Sequence, residues 1–355
     1  MKHRILAINP GSTSTKIAIY SDIELEYKKS IKHSSEKIAE FNSIYDQLDF
    51  RLQSVTQTLK EANIDLKSLT AIVGRGGMLK PIPGGTYLVN DEMLAYVKEA
   101  PRGEHASNLG CVIAKKIADS IGVSAFIVDP VAVDEMEDIA RFTGMPDIKR
   151  QSLFHALNQK AISLKAASQL GKKYSELNLI VAHLGGGISV GVHKKGKVVD
   201  VNNALDGDGP MSPERSGGVP IGPLYHMAMS GKYTLKEIKR MNYGNGGMVA
   251  YLGTNDGYEI EQRIKNGDKQ AKFILEVMCY QIAKEIGSLF AVTRSNLDAI
   301  IITGGLAYNQ DVLQPLLEYL DHLGEIVVFP GEDELEALNY YMNSLLLGET
   351  ELKKY

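Results

Sequence analysis

Two stretches of this chain carry the same pattern, and a pattern that returns within one chain limits the fold more than any composition can. ILAINPGSTSTKIAIY (residues 5–20) and LIVAHLGGGISVGVH (residues 179–193) each read as an apolar strand, a polar residue (Asn9 or His183), a Gly-rich turn and a second strand. A second pair follows in the same order: LTAIVGRGGML (residues 69–79) and LDAIIITGGLA (residues 297–307), each a short β-branched strand running into paired glycines. Two pairs in one order predict two copies of one domain. The division is expected near Lys149, giving a first domain over 1–149 and a second over 150–332 that opens on a helical stretch at 152–169. Periodicity predicts an amphipathic helix at 311–322, a strand at 325–329 and a last helix at 333–347, and the segment 333–355 is expected to pack back on the first domain. Strand and helix patterns alternate from end to end without a low-complexity linker, so the class is α/β.

Composition excludes several kinds of function. A chain of 355 residues that is 44% hydrophobic can bury a sizeable core, and its length favours two domains. The net charge of −4 offers no basic stripe for nucleic acid. No apolar run approaches the roughly 18 residues that span a bilayer, so no membrane role is expected. The apolar stretch near the N-terminus, residues 5–8, is broken by Asn9 and Pro10 and is too short for a signal peptide. The two cysteines, Cys111 and Cys279, lie far apart in helix-like contexts and read as buried free thiols, which fits a cytoplasmic protein.

In NPGSTSTK (residues 9–16), Gly11 lets backbone approach a ligand, while Ser12, Thr13, Ser14 and Thr15 supply hydroxyls and amides that can surround phosphate oxygens, and Lys16 closes the motif with a cation. HLGGGIS repeats the arrangement with His183, Gly185, Gly186 and Gly187. Two such hairpins facing one another across a cleft could hold the phosphates of a nucleotide; tight hairpins without a ligand are the plainer reading. GVHKKGKV (residues 191–198) fits part of a P-loop but ends in Val198, without the hydroxyl that binds Mg²⁺. No GxGxxG opens a helix after a strand, and CxxC, HExxH and GxSxG are missing, so the dinucleotide, zinc and serine-hydrolase readings lose their usual support. Phosphoryl transfer remains.

That chemistry needs positive groups around the transferred phosphoryl. Arg75 lies in GRGG at a strand end and Arg215 in MSPERSGG, both loop positions from which a guanidinium can grip a carboxylate or phosphoryl group; solvated surface arginine is the alternative. His155 in SLFHALN, His105 in GEHASN and His183 before LGGG are the histidines in suggestive contexts, though lone histidines often serve a core or a helix surface. Asp129 ends the strand 125–128, where α/β folds place their chemistry, or else caps a following helix.

In this order the motifs resemble the acetate and butyrate kinase family, within the superfamily that also holds sugar kinases, actin and heat-shock chaperone ATPases. The resemblance spans nearly the whole chain: NPGSTSTK and HLGGGIS are similar to the family's phosphate motifs, GRGG and ERSGG to its arginine segments, FHALN to the segment of its transition-state histidine and TGGLA to its adenosine motif. It implies two duplicated actin-like (ribonuclease H-like) domains with an interdomain nucleotide cleft that closes over Mg-ATP. Residue by residue, it implies that Asn9 helps to hold Mg-ATP, that Arg75 and Arg215 bind the carboxylate and the transferring phosphoryl, and that His155 stabilises transition-state charge. Asp129 would lie near the metal and the phosphoryl, Gly185, Gly186 and Gly187 would bind phosphates, and Gly304 and Gly305 would contact adenosine. Glu334 resembles the family's late metal-associated Glu, with Asp333 and Glu336 as alternatives. The implied reaction is ATP-dependent phosphorylation of a short-chain fatty carboxylate to its acyl phosphate, with ADP as the other product, by at least a homodimer formed through the second copy.

Departures from the acetate kinase pattern bear on the substrate. IVDPVAV and GEHASN stand where acetate kinases carry FDTAFH and PLHNP, and both differences point towards butyrate kinases. Gly77 stands where acetate kinases have Val, which is expected to remove side-chain volume from the acyl pocket and to admit butyrate or isobutyrate rather than acetate or propionate. A sugar or polyol kinase on the same fold would need Asp129 as general base. An actin-like ATPase that signals to a partner would leave Arg75, Arg215 and His155 without a purpose.

Overall fold

The apolar runs of the sequence become the strands of two sheets in a computed structural model that describes residues 2–355. In chain order the strands are β1 (Arg4–Pro10), β2 (Ser14–Ser21), β3 (Glu24–Lys32), β4 (Ala71–Arg75), β5 (Thr86–Leu88), β6 (Ser124–Val128), β7 (Asn178–Leu184), β8 (Ile188–Lys194), β9 (Lys197–Val201), β10 (Ala299–Gly304), β11 (Ile326–Pro330) and β12 (Leu352–Lys353). One sheet has the order β12-β5-β6-β4-β1-β2-β3, the other β11-β10-β7-β8-β9. The chain divides into two compact units, the first running to Asp134 and taking in Asp333–Tyr355, the second spanning Glu135–Glu332.

The repeated sequence pattern is a repeated topology. In the first unit β1, β2 and β3 form an antiparallel meander, and β4 and then β6 add in parallel on the far side of β1. In the second, β7, β8 and β9 form the same meander, and β10 and then β11 add in parallel beyond β7. The similar sequences at residues 5–20 and 179–193 are thus the β1–β2 and β7–β8 hairpins, and those at 69–79 and 297–307 contain β4 and β10. The first unit differs by the short β5, antiparallel to β6, and by β12 at its edge.

Both central strands are buried on two faces, so their sequences read as unbroken apolar runs. Alternation still decides which neighbour each residue meets. Leu179 and Val181 pack with Ala166 and Ala167 of the helix Ala156–Gln169, while Ile180, Ala182 and Leu184 join Ile274, Met278 and Ile282 of the helix Lys269–Val292. In the first unit Leu6 and Ile8 join Leu109 and Ile113 of the helix Asn108–Ile121 and Val55 of the helix Leu48–Glu61. The C-terminal helix Glu334–Leu346 packs on β1, β4 and β6.

The helix expected from residue 152 begins at Ala156. Residues 152–155 instead run irregularly, and the Leu153 carbonyl accepts from Ala204 N–H at 2.9 Å, which holds this segment out of the helical path. Cys111 and Cys279 are buried free thiols, and burial pushes both up to about 12. Among the described residues no helix is long and apolar enough to cross a membrane.

Candidate active site

The turn between β1 and β2 is built around a buried cation. Gly11 N–H donates to Ser14 O at 2.8 Å, which closes the turn and leaves Ser12 and Thr13 exposed. Beneath it lies Arg51, 0% exposed, on the helix Leu48–Glu61. Its guanidinium donates to the carbonyls of Gly11 (2.8 Å), Ser12 (2.8 Å) and Ser14 (3.1 Å), to Thr15 Oγ1 (3.2 Å) and to Gln47 Oε1 (3.0 Å). Arg51 makes no salt bridge among the described residues, and burial alone lowers it to about 10. Thr15 Oγ1 also meets His33 Nε2 at 2.9 Å, and burial, then Arg51, lowers His33 to about 4. Lys16 is exposed and stands opposite Asn9 in the ladder, on the same side of the sheet.

Arg51→Met is expected to lower the melting temperature and to raise KM for ATP. The turn carbonyls lose their donor, at about 1–3 kcal/mol for each one left buried. An unchanged melt with an unchanged KM would remove Arg51 from the site.

Asn9 continues this group at the end of β1. Its Nδ2 donates to Glu334 Oε2, and Arg75 Nη1 reaches the same oxygen at 3.0 Å and Asn9 Oδ1 at 3.4 Å. Glu334, 4% exposed, is the first residue of the C-terminal helix, whereas Asp333 and Glu336 are exposed and lie near Tyr20, whose hydroxyl is raised to about 12 by burial and by these two carboxylates. Asp129 follows β6 directly with a φ of 36°, a left-handed conformation that a β-carbon makes costly. Its Oδ1 accepts from Gly85 N–H at 2.7 Å.

Gly77 departs from expectation. A Cβ there would fall 2.6 Å from Asn108 Cα, and Asn108 Oδ1 accepts from Met78 N–H at 2.8 Å. The missing side chain is therefore not vacant pocket volume; the start of the helix Asn108–Ile121 fills it. Gly77→Val is expected to destabilise the first unit by about 1–3 kcal/mol through overpacking, measured as a lower melting temperature, before any effect on acyl-chain preference. His105 sits just ahead of this helix, its Nδ1 2.7 Å from Ser107 Oγ.

In the second unit the glycine-rich turn lies between β7 and β8, and Gly185 N–H donates to Gly187 O at 3.1 Å. Gly187 leaves room for the Arg215 guanidinium, which a Cβ there would displace. Arg215, 9% exposed, donates through Nη1 to Ala204 O and stacks 5.1 Å from the Tyr243 ring centroid, but its buried Nε has no hydrogen-bond partner among the described residues. Burial lowers its pKa. His155 and His183 stack in parallel, centroids 3.8 Å apart and planes 11° apart. His183 Nδ1 lies 2.7 Å from Asn158 Oδ1, and its Nε2 lies 3.0 Å from Glu332 Oε1. Gly304 ends β10 and Gly305 opens a 3₁₀ turn with free space where its side chain would be.

The structure thus brings Asn9, Gly11, Ser12, Thr13, Ser14 and Arg75 together with Glu334 in one unit, and His155, His183, Gly185, Gly186, Gly187 and Arg215 in the other. Sequence reasoning missed Arg51 and Glu332, and also Ser189, whose Oγ lies 2.9 Å from His155 Nδ1, and Gln159, whose Nε2 donates to Ser189 Oγ at 2.9 Å. A signal for Arg51 was present: it occupies the inward stripe of Leu48, Val55 and Leu59, where an arginine is out of place unless it holds something. No group of three or more His, Cys, Asp or Glu among the described residues could hold a metal ion by itself.

A model of the acetokinase family matches residues 146–335. Butyrate kinase 1 of Clostridium acetobutylicum is 51% identical over 353 residues, 99% of each chain. Butyrate kinase 2 of the same organism is 50% identical over 355 residues, covering 100% of both, and a probable butyrate kinase of Listeria innocua is 47% identical over the same span. Among solved structures, the acetate kinase of Porphyromonas gingivalis superposes with a TM-score of 0.77 at 20% identity, covering 97% of this chain and 100% of that one. A propionate kinase of Francisella tularensis gives 0.74 at 22% identity, covering 96% and 98%. Likeness at these identities speaks for the fold.

Proposed function

The chain belongs to the acetokinase family, and from that premise we propose that it transfers the γ-phosphoryl group of ATP reversibly to the carboxylate of butyrate, giving ADP and butyryl phosphate. Its fold is the duplicated actin-like one. The observation that carries the reading is Arg215, a guanidinium buried against a glycine turn with an Nε that has no hydrogen-bond partner among the described residues. A buried cation of this kind is completed by an anion, and in acyl phosphate formation both the acceptor and the transferred group are anions.

A carboxylate is ionised near pH 7, so it attacks the γ-phosphorus without a general base and the protein has only to position groups and neutralise charge. Arg75 and Arg215 hold the carboxylate and the equatorial oxygens, and His155 donates to the phosphoryl as its charge spreads. The hydroxyls of Ser12, Thr13 and Ser14 and the amides of Gly185, Gly186 and Gly187 take the phosphates, with Lys16 and His183 beside them. Gly304 and Gly305 take the adenosine. Mg²⁺ on a nucleotide needs only one or two protein groups, and the Glu334 carboxylate, which accepts from Asn9 Nδ2, would supply a hard oxygen for it beside Asn9. The ion would supply charge neutralisation between the phosphates, with Asp129 near it.

A coupled ADP-release assay over straight and branched acids from acetate to hexanoate tests this. Higher kcat/KM for butyrate or isobutyrate than for acetate is expected. Preference for acetate would sink the butyrate assignment, and ATP turnover that ignores carboxylate would sink the carboxylate.

A homodimer through the second unit belongs to the same proposal, as does a cytoplasmic location. The helices Ile221–Met229 and Leu235–Asn242 expose Ile221, Leu224, Tyr225, Met229 and Leu235 and border an open pocket of about 470 Å³ lined in part by Val219, Pro223, Met227 and Ile238. Exposed apolar side chains grouped in this way mark an interaction face. Ile221→Lys with Leu235→Lys is expected to convert dimer to monomer in sedimentation equilibrium; a monomeric parent protein would refute it.

A further inference from the structure

Behind the His155 ring runs a chain of buried polar groups that the phosphoryl-transfer reading does not use. Helix Ala156–Gln169 begins directly after His155 and turns Gln159 and Ser163 inward, while β8 places Ser189 and His193 on one face, four residues apart. All four side chains are 0% exposed. Gly191 lies between the latter two, and a Cβ there would come 2.8 Å from Gln159 Oε1, so the glycine leaves room for the amide.

The partners among the described residues assign the protons along this chain. The Ser189 carbonyl can only accept, so the Gln159 group 3.0 Å away is the NH₂, which also donates to Ser189 Oγ at 2.9 Å. The Gln159 carbonyl therefore faces His193 Nε2 at 2.9 Å, and that nitrogen carries hydrogen. Burial, with Lys160 adding to it, pushes the His193 pKa well below its ordinary value, so the ring is neutral and Nδ1 is bare. Nδ1 accepts from Tyr174 O–H at 2.7 Å; Ser163 Oγ is 3.2 Å away but donates its own proton to Gln159 O at 2.7 Å. At the other end, the partners of Ser189 Oγ are Gln159 Nε2, His155 N–H at 3.5 Å and His155 Nδ1 at 2.9 Å. The first two only donate. Among the described residues the Ser189 hydroxyl proton thus has a single acceptor, His155 Nδ1, which leaves the His155 hydrogen for Nε2.

We propose that Ser189, Gln159 and His193 are positioning residues that fix His155 as the neutral Nε2–H tautomer, so that the ring presents a donor to the transferring phosphoryl. Donors run one way: Tyr174 to His193 to Gln159 to Ser189 to His155. Hydrogen bonds aligned head to tail polarise one another, so the last donor is the one strengthened. The opposite tautomer would turn a lone pair towards phosphoryl oxygens, and an imidazolium would lie face to face with His183 at 3.8 Å. The inference rests on the reading of His155 as a phosphoryl donor.

Long-range ¹H–¹⁵N spectra of the full chain labelled at histidine, with His155→Gln for assignment, test this alongside steady-state kinetics. Wild-type His155 is expected to show a pyridine-like Nδ1 and a pyrrole-like Nε2. Ser189→Ala is expected to lose that tautomer preference and to lower kcat by about 10- to 100-fold, as loss of an outer-shell partner does, with KM for butyrate and ATP little changed. Ser189→Thr keeps the hydroxyl and is expected to restore both. Gln159→Glu, whose carboxylate only accepts, is expected to capture the Ser189 proton and move the His155 hydrogen to Nδ1. A wild-type His155 protonated at Nδ1 or at both nitrogens overturns the proposal even if no variant folds. So does a Ser189→Ala protein with wild-type melt, kcat and tautomer. Should His155→Gln itself keep full activity, the donor reading of His155 falls instead.

Discussion

Arg215→Ala is expected to lower the rate of butyryl phosphate formation by about 10³- to 10⁵-fold, the range for an arginine that neutralises charge on a phosphoryl in flight. The fold should survive. Among the described residues Arg215 forms no ion pair, and its removal empties space beside Gly187 rather than crowding it, so the cost is the buried Ala204 carbonyl left without its donor, about 1–3 kcal/mol. A modestly lowered melt, with the collapse of activity in kcat more than in KM for ATP, is the expected combination. Arg215→Lys should recover little, because a point charge cannot reproduce the planar fork that spans carboxylate and phosphoryl oxygens together. Near-normal turnover in Arg215→Ala would remove the residue from the reaction.

His155→Ala is expected to cost about 10²- to 10³-fold in kcat, the loss typical of one preorganised donor to transition-state charge. It differs in kind from the Arg215 variant. A neutral donor adds little to ground-state binding of an already chelated nucleotide, so KM for ATP should stay within a narrow range. His183→Ala tests the stacking partner: loss of the parallel ring leaves Nε2 of His155 less restrained, and a smaller drop in kcat is expected than for His155→Ala. A drop in KM-governed binding alone, with kcat intact, would assign His155 to substrate binding instead.

What was legible in the sequence and what was not follows from the reach of each interaction. The two glycine hairpins were visible because strand, turn and strand are contiguous, and because Asn9 and His183 occupy the same place in the two copies. The topology was visible because the repeats at 69–79 and 297–307 keep their order after the hairpins. Arg51, Gln159 and Ser189 were not, since each acts on a segment that only the packed unit brings near, 40 residues separating Arg51 from Gly11 and 30 separating Gln159 from Ser189. Gly77 shows the opposite error: a missing side chain looks like empty volume in one dimension, whereas in three the helix at Asn108 has moved into it.

The first unit is assembled from the two ends of the chain, while the second is a single continuous stretch between them. A ribosome delivers residues in order, so the second unit has its full sequence before the first does. Until the helix Glu334–Leu346 emerges, β1, β4 and β6 lack the helix that packs on them, and Arg75 lacks the carboxylate it meets in the finished protein. The contact of Asn9, Arg75 and Glu334 therefore forms only after the whole of the second unit, residues 135–332, has been made. A chain that stops short of that helix cannot bring Glu334 to Arg75, so any part this ion pair plays in handling ATP waits until residues 334–346 have been made.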